Sequence, residues 1–291
     1  MVEQDWLTAQ FEQQRPQLRA VAYRMLGSLS EADDAVQETW LRLHRSDADE
    51  IENLGGWLRT VLSRVCLNVL RSRGTRREDL MGSHVPDPVV SPEDGLDPEQ
   101  EALLADSVGL ALHVVLETLT PAERLAFVLH DMFAVPYDEI GPIVGRSTDA
   151  ARQLASRARR QVQGAAVPDP DPVRQRVVVD AFFAAARRGD LEGLVAVLAP
   201  DVVLRVDAGL GRAGSVVVHG AETVANRAIM FSRPSAVVSP ALVNGAAGVV
   251  ISVGGRPISV MGFTVSEGVV VAIHVLNDPA RIADLDLAVL E

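Results

Sequence analysis

Lysine is missing from this 291-residue chain, so all 27 basic residues are arginine. Such a bias fits a high-GC genome and is not by itself a sign of arginine chemistry, although the forked guanidinium suits phosphate and guanine. Cysteine occurs once, at Cys66, which excludes an internal disulfide and a cysteine-based metal cluster. Its apolar helical surroundings predict a buried structural thiol. No apolar run reaches transmembrane length, and the opening MVEQDWL is acidic where a signal peptide would be basic, so a cytoplasmic protein is expected. Residues 173–291 contain neither Trp nor Tyr, which leaves that part without the usual platforms for an aromatic substrate. Nothing in the pattern calls for a cofactor or a metal.

What is present is a sharp charge pattern under a net charge of −12. From Arg59 to Arg77 there are six arginines and no acid, and from Arg146 to Arg160 five arginines against Asp149 alone. Between Glu78 and Asp106 there are nine acids and no Lys or Arg. Two basic helices separated by an acidic connector point to nucleic acid, whereas the overall charge argues against non-specific DNA binding.

The second basic stretch, Tyr137 to Val162, reads as two short helices joined by a tight turn at Gly145-Arg146. Ser147 is a natural N-cap for the second helix. Ala151, Leu154, Ala155, Ala158 and Val162 then share one apolar face. Thr148, Arg152, Gln153, Ser156, Arg157, Arg159 and Arg160 lie opposite. Small core residues behind an arginine-rich outer face have the shape of a helix-turn-helix recognition element, and an ordinary helical hairpin with a solvated basic face is the alternative.

Upstream, helical spacing predicts helices over Trp6 to Leu26, over SEADDAVQETWLRLHR and over about Trp57 to Arg73. Ala35, Val36, Trp40, Leu41 and Leu43 give the second of these a broad apolar face, more than its own bundle needs. Residues 78–101 are acidic and Pro-rich and read as an extended linker. A second bundle follows over 102–164, with Thr120 and Pro121 as a helix start. VPDPDP closes it, and 165–172 is a second linker. From 173 to 291 two helices flanking Gly189-Asp190 precede a helix AETVANRAIMF and a set of short β-rich runs. Hairpin turns are expected at Gly254-Gly255 and Glu267-Gly268. The predicted architecture is multidomain: all-α over 1–77 and 102–164, then an α+β domain with a curved sheet wrapped on helices.

Read together, DDAVQETWLRL, GWLRTVLSRVCLNVLRSR, LTPAERLAFVLHDMFAVPYDEIGPIVG and RSTDAARQLASRARRQV closely resemble the sigma factors of the extracytoplasmic-function class, in the family's order over about 160 residues. The resemblance implies that 1–77 is the region 2 domain, which grips the β′ clamp helices of core RNA polymerase and reads the −10 promoter element. It implies that 102–164 is the region 4 domain, which reads the −35 element and touches the β flap. Asp34, Gln37, Glu38, Trp40, Leu41 and Arg42 match the polymerase-binding segment. Asn53, Arg64, Asn68, Arg71 and Arg73 match the −10 reader, where amide and guanidinium groups suit a base held outside the stack. Thr148, Arg152, Gln153, Ser156, Arg157 and Arg160 fall at the −35 contacts, with Thr148 and Arg160 on the backbone.

Residues 173–291 resemble SnoaL-like proteins of the nuclear-transport-factor-two-like fold, and a sigma factor with this extension resembles the sigma-J-like subgroup. His84-Val85-Pro86-Asp87-Pro88 stands where that subgroup has Trp-Leu-Pro-Glu-Pro, with the tryptophan lost. Asp207-Ala208-Gly209-Leu210-Gly211-Arg212 stands for an Asp-Gly-Gly-Gly-Arg loop, diluted by Ala208 and Leu210. Asn277-Asp278-Pro279-Ala280-Arg281 is near an Asn-Pro-Asp-Lys-Leu tail motif, its order disturbed. Pro86, Asp87, Pro88, Asp207, Gly209, Gly211, Arg212, Asn277, Asp278 and Pro279 are therefore the expected regulatory interdomain residues. The resemblance implies a domain that regulates polymerase binding in cis, without catalysis and with room for an unidentified small ligand.

Two further expectations come from the residues. Asp87, Glu93, Asp94 and Asp97 could shield the arginine ridge when no DNA is present. His274 is expected to be a strand histidine with a local hydrogen bond, while Asp207, His274, Arg205 and His219 are the titratable groups on which any SnoaL-type acid/base chemistry would draw. The alternative function is a ligand-responsive or enzymatic SnoaL-like protein fused to a DNA-binding helix-turn-helix module.

Overall fold

A computed structural model describes residues 2–46, 51–74, 84–93, 109–164, 168–209 and 215–287. Contacts divide the chain into two units, one of 1–79, 101–106 and 115–164, the other of 80–100, 107–114 and 165–291.

In the first unit, helices α1 (Val2–Leu26), α2 (Leu29–Arg45) and α3 (Leu54–Gly74) bury the stripes that their sequences repeat at three- and four-residue spacing. Leu18, Val21, Met25 and Leu26 of α1 meet Ala32, Ala35, Val36 and Leu43 of α2 and Leu58, Leu62 and Cys66 of α3, all in the core. Full burial of one such leucine stabilises by about 2 kcal/mol. Cys66 has no disulfide partner, and burial pushes its thiol up to about 12.

The first unit resumes at residue 115, within α4 (Gly109–Thr118), and continues through α5 (Pro121–Phe127), α6 (Tyr137–Val144) and α7 (Thr148–Val162). Thr120 and Glu123 cap α5 reciprocally. The helix does not run on to Ala134 in regular α form: Val128–Met132 is a π-helical turn. Ala134 takes a positive φ of 53°, and the His130 ring stacks on Tyr137 with centroids 3.8 Å apart. Pro136 has no N–H to extend the helix, and the wider turn redirects the chain into α6. Two arginines join the early and late helices of this unit. Arg124 Nη1 donates to the Met25 carbonyl at 2.8 Å, and the Arg24 guanidinium lies 5.1 Å from the Phe133 ring centroid.

The second unit is an α+β domain. Its sheet runs β1 (Val90–Ser91), β4 (Ala236–Val243), β5 (Ala246–Val253), β6 (Arg256–Ser266), β7 (Val269–Leu276), β2 (Leu198–Asp207), β3 (Val216–His219). Pairs are antiparallel except β2 with β7. Helices α8 (Pro172–Arg188), α9 (Leu191–Val197) and α10 (Ala221–Phe231) pack on one face through Val179, Phe182, Leu194, Val224 and Ala225. That face carries alternate strand residues such as Leu204, Val206, Phe263, Val265, Ile273 and Val275. Phe182, Phe183 and Phe263 fill the space between helices and sheet edge-to-face, with centroids 5.4 to 5.8 Å apart. Gly254 and Gly255, at φ of 58° and 75°, make the predicted β5–β6 turn. A short α11 (Pro279–Ala283), which the sequence pattern did not predict, follows β7.

The predicted extended linker departs from expectation. Residues 85–91 are buried within the second unit, and Val90 and Ser91 pair with Val243 and Leu242 as an added edge strand. Val85 and Val90 share a second apolar cluster with Leu110, Ala241, Val243, Val250 and Val260, on the sheet face away from α8–α10. Apolar residues between prolines explain the difference: HVPDPVV has no helical period, yet an open sheet edge accepts any extended strand whose alternate side chains are apolar.

Candidate nucleic-acid interface

Helix α7 is placed by three local devices. Gly145 ends α6 in the left-handed region at φ 69°, and a Cβ at Gly141 would come within 2.9 Å of the Arg146 carbonyl, so the turn requires small residues there. Ser147 Oγ accepts from the Ala150 N–H at 3.2 Å. Ala151, Ala155 and Ala158 are fully buried and bring the helix close to its neighbours. The opposite side leaves Thr148, Arg152, Gln153, Ser156, Arg157 and Arg160 all exposed. Arg152 also pairs with Asp149 at 2.9 Å and lies 5.5 Å from the centroid of the Tyr137 ring.

Arg159 does something else. Its Nε donates to Asp131 at 2.5 Å and its guanidinium bonds the Tyr137 hydroxyl, which raises its pKa chiefly through Asp131. It braces α7 against the preceding turn.

Along α3, Arg64, Asn68 and Arg71 are exposed at i, i+4 and i+7 and form one row. The other two residues expected in that row have structural partners. Arg73 pairs with Glu31 and donates Nη1 to the Leu26 carbonyl at 2.8 Å. Asn53 Oδ1 accepts from the Gly56 N–H at 3.0 Å, in the manner of a cap on α3, although the residue itself is exposed.

On α2 the apolar face is narrower than its sequence suggests. Ala35, Val36 and Leu43 are in the core, and Trp40 is half-buried against Phe11 and His44 at centroid distances of 4.8 and 5.8 Å. Leu41 is the large apolar residue left outside, 39% exposed, beside the exposed Asp34, Gln37 and Arg42. Glu38 pairs with Arg42 at 2.8 Å.

Several residues of the expected regulatory set converge in the second unit around a side chain absent from that set, Arg281. Its Nη1 lies 2.8 Å from Asp207 Oδ2, its Nε 2.7 Å from Asp87 Oδ1, and its Nη2 donates to the Val85 carbonyl at 2.6 Å. Asp207, 2% exposed, also accepts from the Val85 N–H at 3.0 Å and the Gly209 N–H at 3.0 Å, and lies 3.0 Å from His84 Nδ1. Burial alone would push its carboxyl up, but His84 and the two N–H groups outweigh burial and hold it well below the usual range. Asn277 donates its N–H to the Asp207 carbonyl at 2.7 Å, while Asp278 caps α11 with Pro279 at its first turn. Pro86 and Pro88 are buried beside Asp87. Gly211 and Arg212 lie outside the described residues.

Two more contacts secure the linker. Asn244 exchanges bonds with Val89, Asn244 N–H to the Val89 carbonyl at 2.8 Å and Val89 N–H to Asn244 Oδ1 at 3.1 Å. Glu93 pairs with Arg176 at 2.5 Å. Of the four linker acids expected to shield the arginine ridge, Asp87 and Glu93 are held instead by Arg281 and Arg176, while Asp94 and Asp97 lie outside the described residues. The signals for Arg281 and His84 were in the motifs themselves, an arginine at the end of one and a histidine at the start of the other.

The titratable strand residues do not face the space between sheet and helices. Leu204, Val206, Ile273 and Val275 do, so alternation turns Arg205, Asp207 and His274 to the other face. His274 does not show the expected local hydrogen bond: neither ring nitrogen has a hydrogen-bond partner among the described residues.

Comparison with known proteins agrees with this layout. Residues 10–76 match the family "Sigma-70 region 2" and residues 109–162 match "Sigma-70, region 4". Over 290 residues the chain is 37% identical to the "Probable ECF RNA polymerase sigma factor SigI" of Mycobacterium tuberculosis, covering 98% of each. It is 44% identical over 221 residues to the ECF RNA polymerase sigma factor SigJ of the same species, covering 74% of this chain and 70% of SigJ. The crystal structure of that SigJ superposes with a TM-score of 0.77 at 35% identity, over 96% of this chain and 99% of the other. The helical domains and the sheet domain thus occur in one known order along the chain. The chain belongs to the extracytoplasmic-function sigma factors, the RNA polymerase subunits that direct promoter-specific initiation of transcription.

Proposed function

We propose that Arg152, Gln153, Ser156 and Arg157 read the −35 element in the major groove, with Thr148 and Arg160 on its phosphates. Arg64, Asn68 and Arg71 hold the melted −10 strand. The observation that carries this reading is the division of α7 into a buried alanine face and an exposed face of arginine and amide groups. Arg73 and Asn53 act behind the −10 row, fixing the ends of α3. On α2, Leu41 and the edge of Trp40, flanked by Asp34, Gln37, Glu38 and Arg42, bind the β′ clamp, and the region 4 domain touches the β subunit. The protein works in the cytoplasm, as a non-enzymatic subunit.

The SnoaL-like domain regulates the sigma domains in cis through the linker. Residues 84–93 are bound to that domain by Arg281, Asn244, Arg176 and the β1–β4 pair. Docked in this way, the linker sets how far the region 2 and region 4 domains can separate, an intramolecular equilibrium at high effective concentration. Support for a role without catalysis comes from the phenylalanine-filled interior and from titratable residues that face away from it.

The test is run-off transcription with core RNA polymerase and a promoter pool. The wild-type chain should give discrete start sites. Combined Arg64→Ala and Asn68→Ala should abolish them while leaving core binding intact. Transcripts that survive this pair would remove the −10 assignment.

A further inference from the structure

Away from the helices proposed to read the promoter and from the Arg281 cluster, two basic side chains of the sheet have no hydrogen-bond or ion-pair partner among the described residues. Arg205 on β2 and His274 on β7 face each other in register across the parallel pair. Both point away from α8–α10, because their strand neighbours Leu204, Val206, Ile273 and Val275 fill the helix-side core. Their next cross-strand neighbours are Val217 on one side and Gly262 on the other. Gly262 has no side chain to cover the imidazole, and a Cβ there would come within 3.1 Å of Leu110.

Arg205 is partly buried and, among the described residues, makes no hydrogen bond and no ion pair. Loss of water without replacement pushes its guanidinium pKa down. His274 is 1% exposed, and neither ring nitrogen has a hydrogen-bond partner among the described residues. Burial first and the Arg205 charge second hold it down to about 3, so it is a neutral imidazole. The nearest acid on this face, Asp207, lies two residues along β2 and is committed to Arg281, His84 and two backbone N–H groups. His219, across from Val203, and Asp201, four residues before Arg205 on β2, are the remaining titratable groups on these strands, and both are exposed. A partly buried guanidinium beside a buried imidazole, both with unmet donors among the described residues and with Asp201 exposed four residues away along β2, is a half-made hydrogen-bond network.

We infer that Arg205 and His274 form a binding site for a small oxyanion, the phosphate or carboxylate group of a ligand. The guanidinium supplies charge and two parallel donors, and the neutral imidazole supplies one N–H, the set that planar or tetrahedral oxyanions accept. The site lies on the face of the sheet that also carries Asp207. Bound negative charge therefore opposes the carboxylate that fastens the linker, and this coupling rests on the regulatory reading above, whereas binding itself does not.

The test uses the full chain, with inorganic phosphate and acetate titrated separately at constant ionic strength. Six histidines keep the imidazole spectrum resolvable, and the His274 resonance is assigned by its loss in His274→Asn. Saturable movement of that resonance is expected, with a rise in melting temperature of about 2–4 °C at saturating anion. Both effects should vanish in Arg205→Gln, which in the absence of anion should melt at or above the wild-type temperature, since the cation it loses has no partner. Phosphate alone moving the resonance would assign a phosphorylated ligand, and acetate moving it as well would assign a carboxylate. No saturable movement with either anion in the wild type, or equal movement in Arg205→Gln, overturns the site. The wild-type titration decides the matter even if Arg205→Gln does not fold.

Discussion

Arg281 Nη1 and Asp207 Oδ2 meet at 2.8 Å across 74 residues of sequence, and Asp207 is almost wholly buried. The same guanidinium holds Asp87 and the Val85 carbonyl, so one side chain joins the tail, the strand loop and the linker. Replacing Arg281 by Met takes the guanidinium from both carboxylates and leaves Asp207 to His84 and two backbone N–H groups. The expected loss is about 3 kcal/mol, as for breaking one side of a buried pair. Urea unfolding measures it, and hydrogen exchange at the Val85 and Val90 amides should accelerate together.

Arg159 should behave as a structural residue. Arg159→Ala removes the bonds to Asp131 and Tyr137, and a loss of about 1 kcal/mol is expected for a partly exposed charge-assisted pair. Thermal unfolding reports this without DNA present, whereas Arg160→Ala should leave the melting temperature unchanged.

The exposed positions of α7 should separate by role. Arg160→Ala should weaken binding to all promoter sequences and lower the slope of affinity against salt by about one unit. Gln153→Ala should cost about 1–3 kcal/mol on the preferred −35 sequence and relax the choice at one base pair. Binding isotherms at several salt concentrations, on matched and mismatched duplexes, distinguish the two patterns.

The two faces of α7 were legible in the sequence because their signals are local. Ser147, the alanine stripe and the arginines of α7 all lie within one helix and its cap, and the 3.6-residue period assigns their faces. Helix α10 runs over Ala221–Phe231 as its pattern predicts. What escaped depends on partners distant in sequence. Asp87 meets Arg281 across 194 residues, and nothing in VPDPVV says which sheet edge it will join. Arg73 and Arg159 look like their exposed neighbours until Glu31, Asp131 and Tyr137 are brought to them. The outward facing of Arg205 and His274 was available from strand alternation, since Leu204, Val206, Ile273 and Val275 are the apolar set; the pairing of β2 with β7 was not.

His274 gives the domain a pH dependence with a definite sign. Its pKa falls from the ordinary 6.5 to about 3 in the folded chain. Between these values the unfolded chain binds a proton that the folded one does not, so stability is full above about pH 6.5 and declines as the solution is acidified. The loss approaches about 2 kcal/mol at pH 5. Urea unfolding at pH 7.5 and pH 5 should show this decline, and His274→Asn should flatten it.

The most direct test of regulation through the docked linker is multi-round run-off transcription with core RNA polymerase, comparing the wild-type chain with Arg281→Gln at equal folded fraction and on the same promoter. Both proteins should start at the same site, because the promoter-reading side chains are untouched, and the yield should differ by threefold or more. Equal yields across a range of sigma concentrations would contradict regulation through the linker.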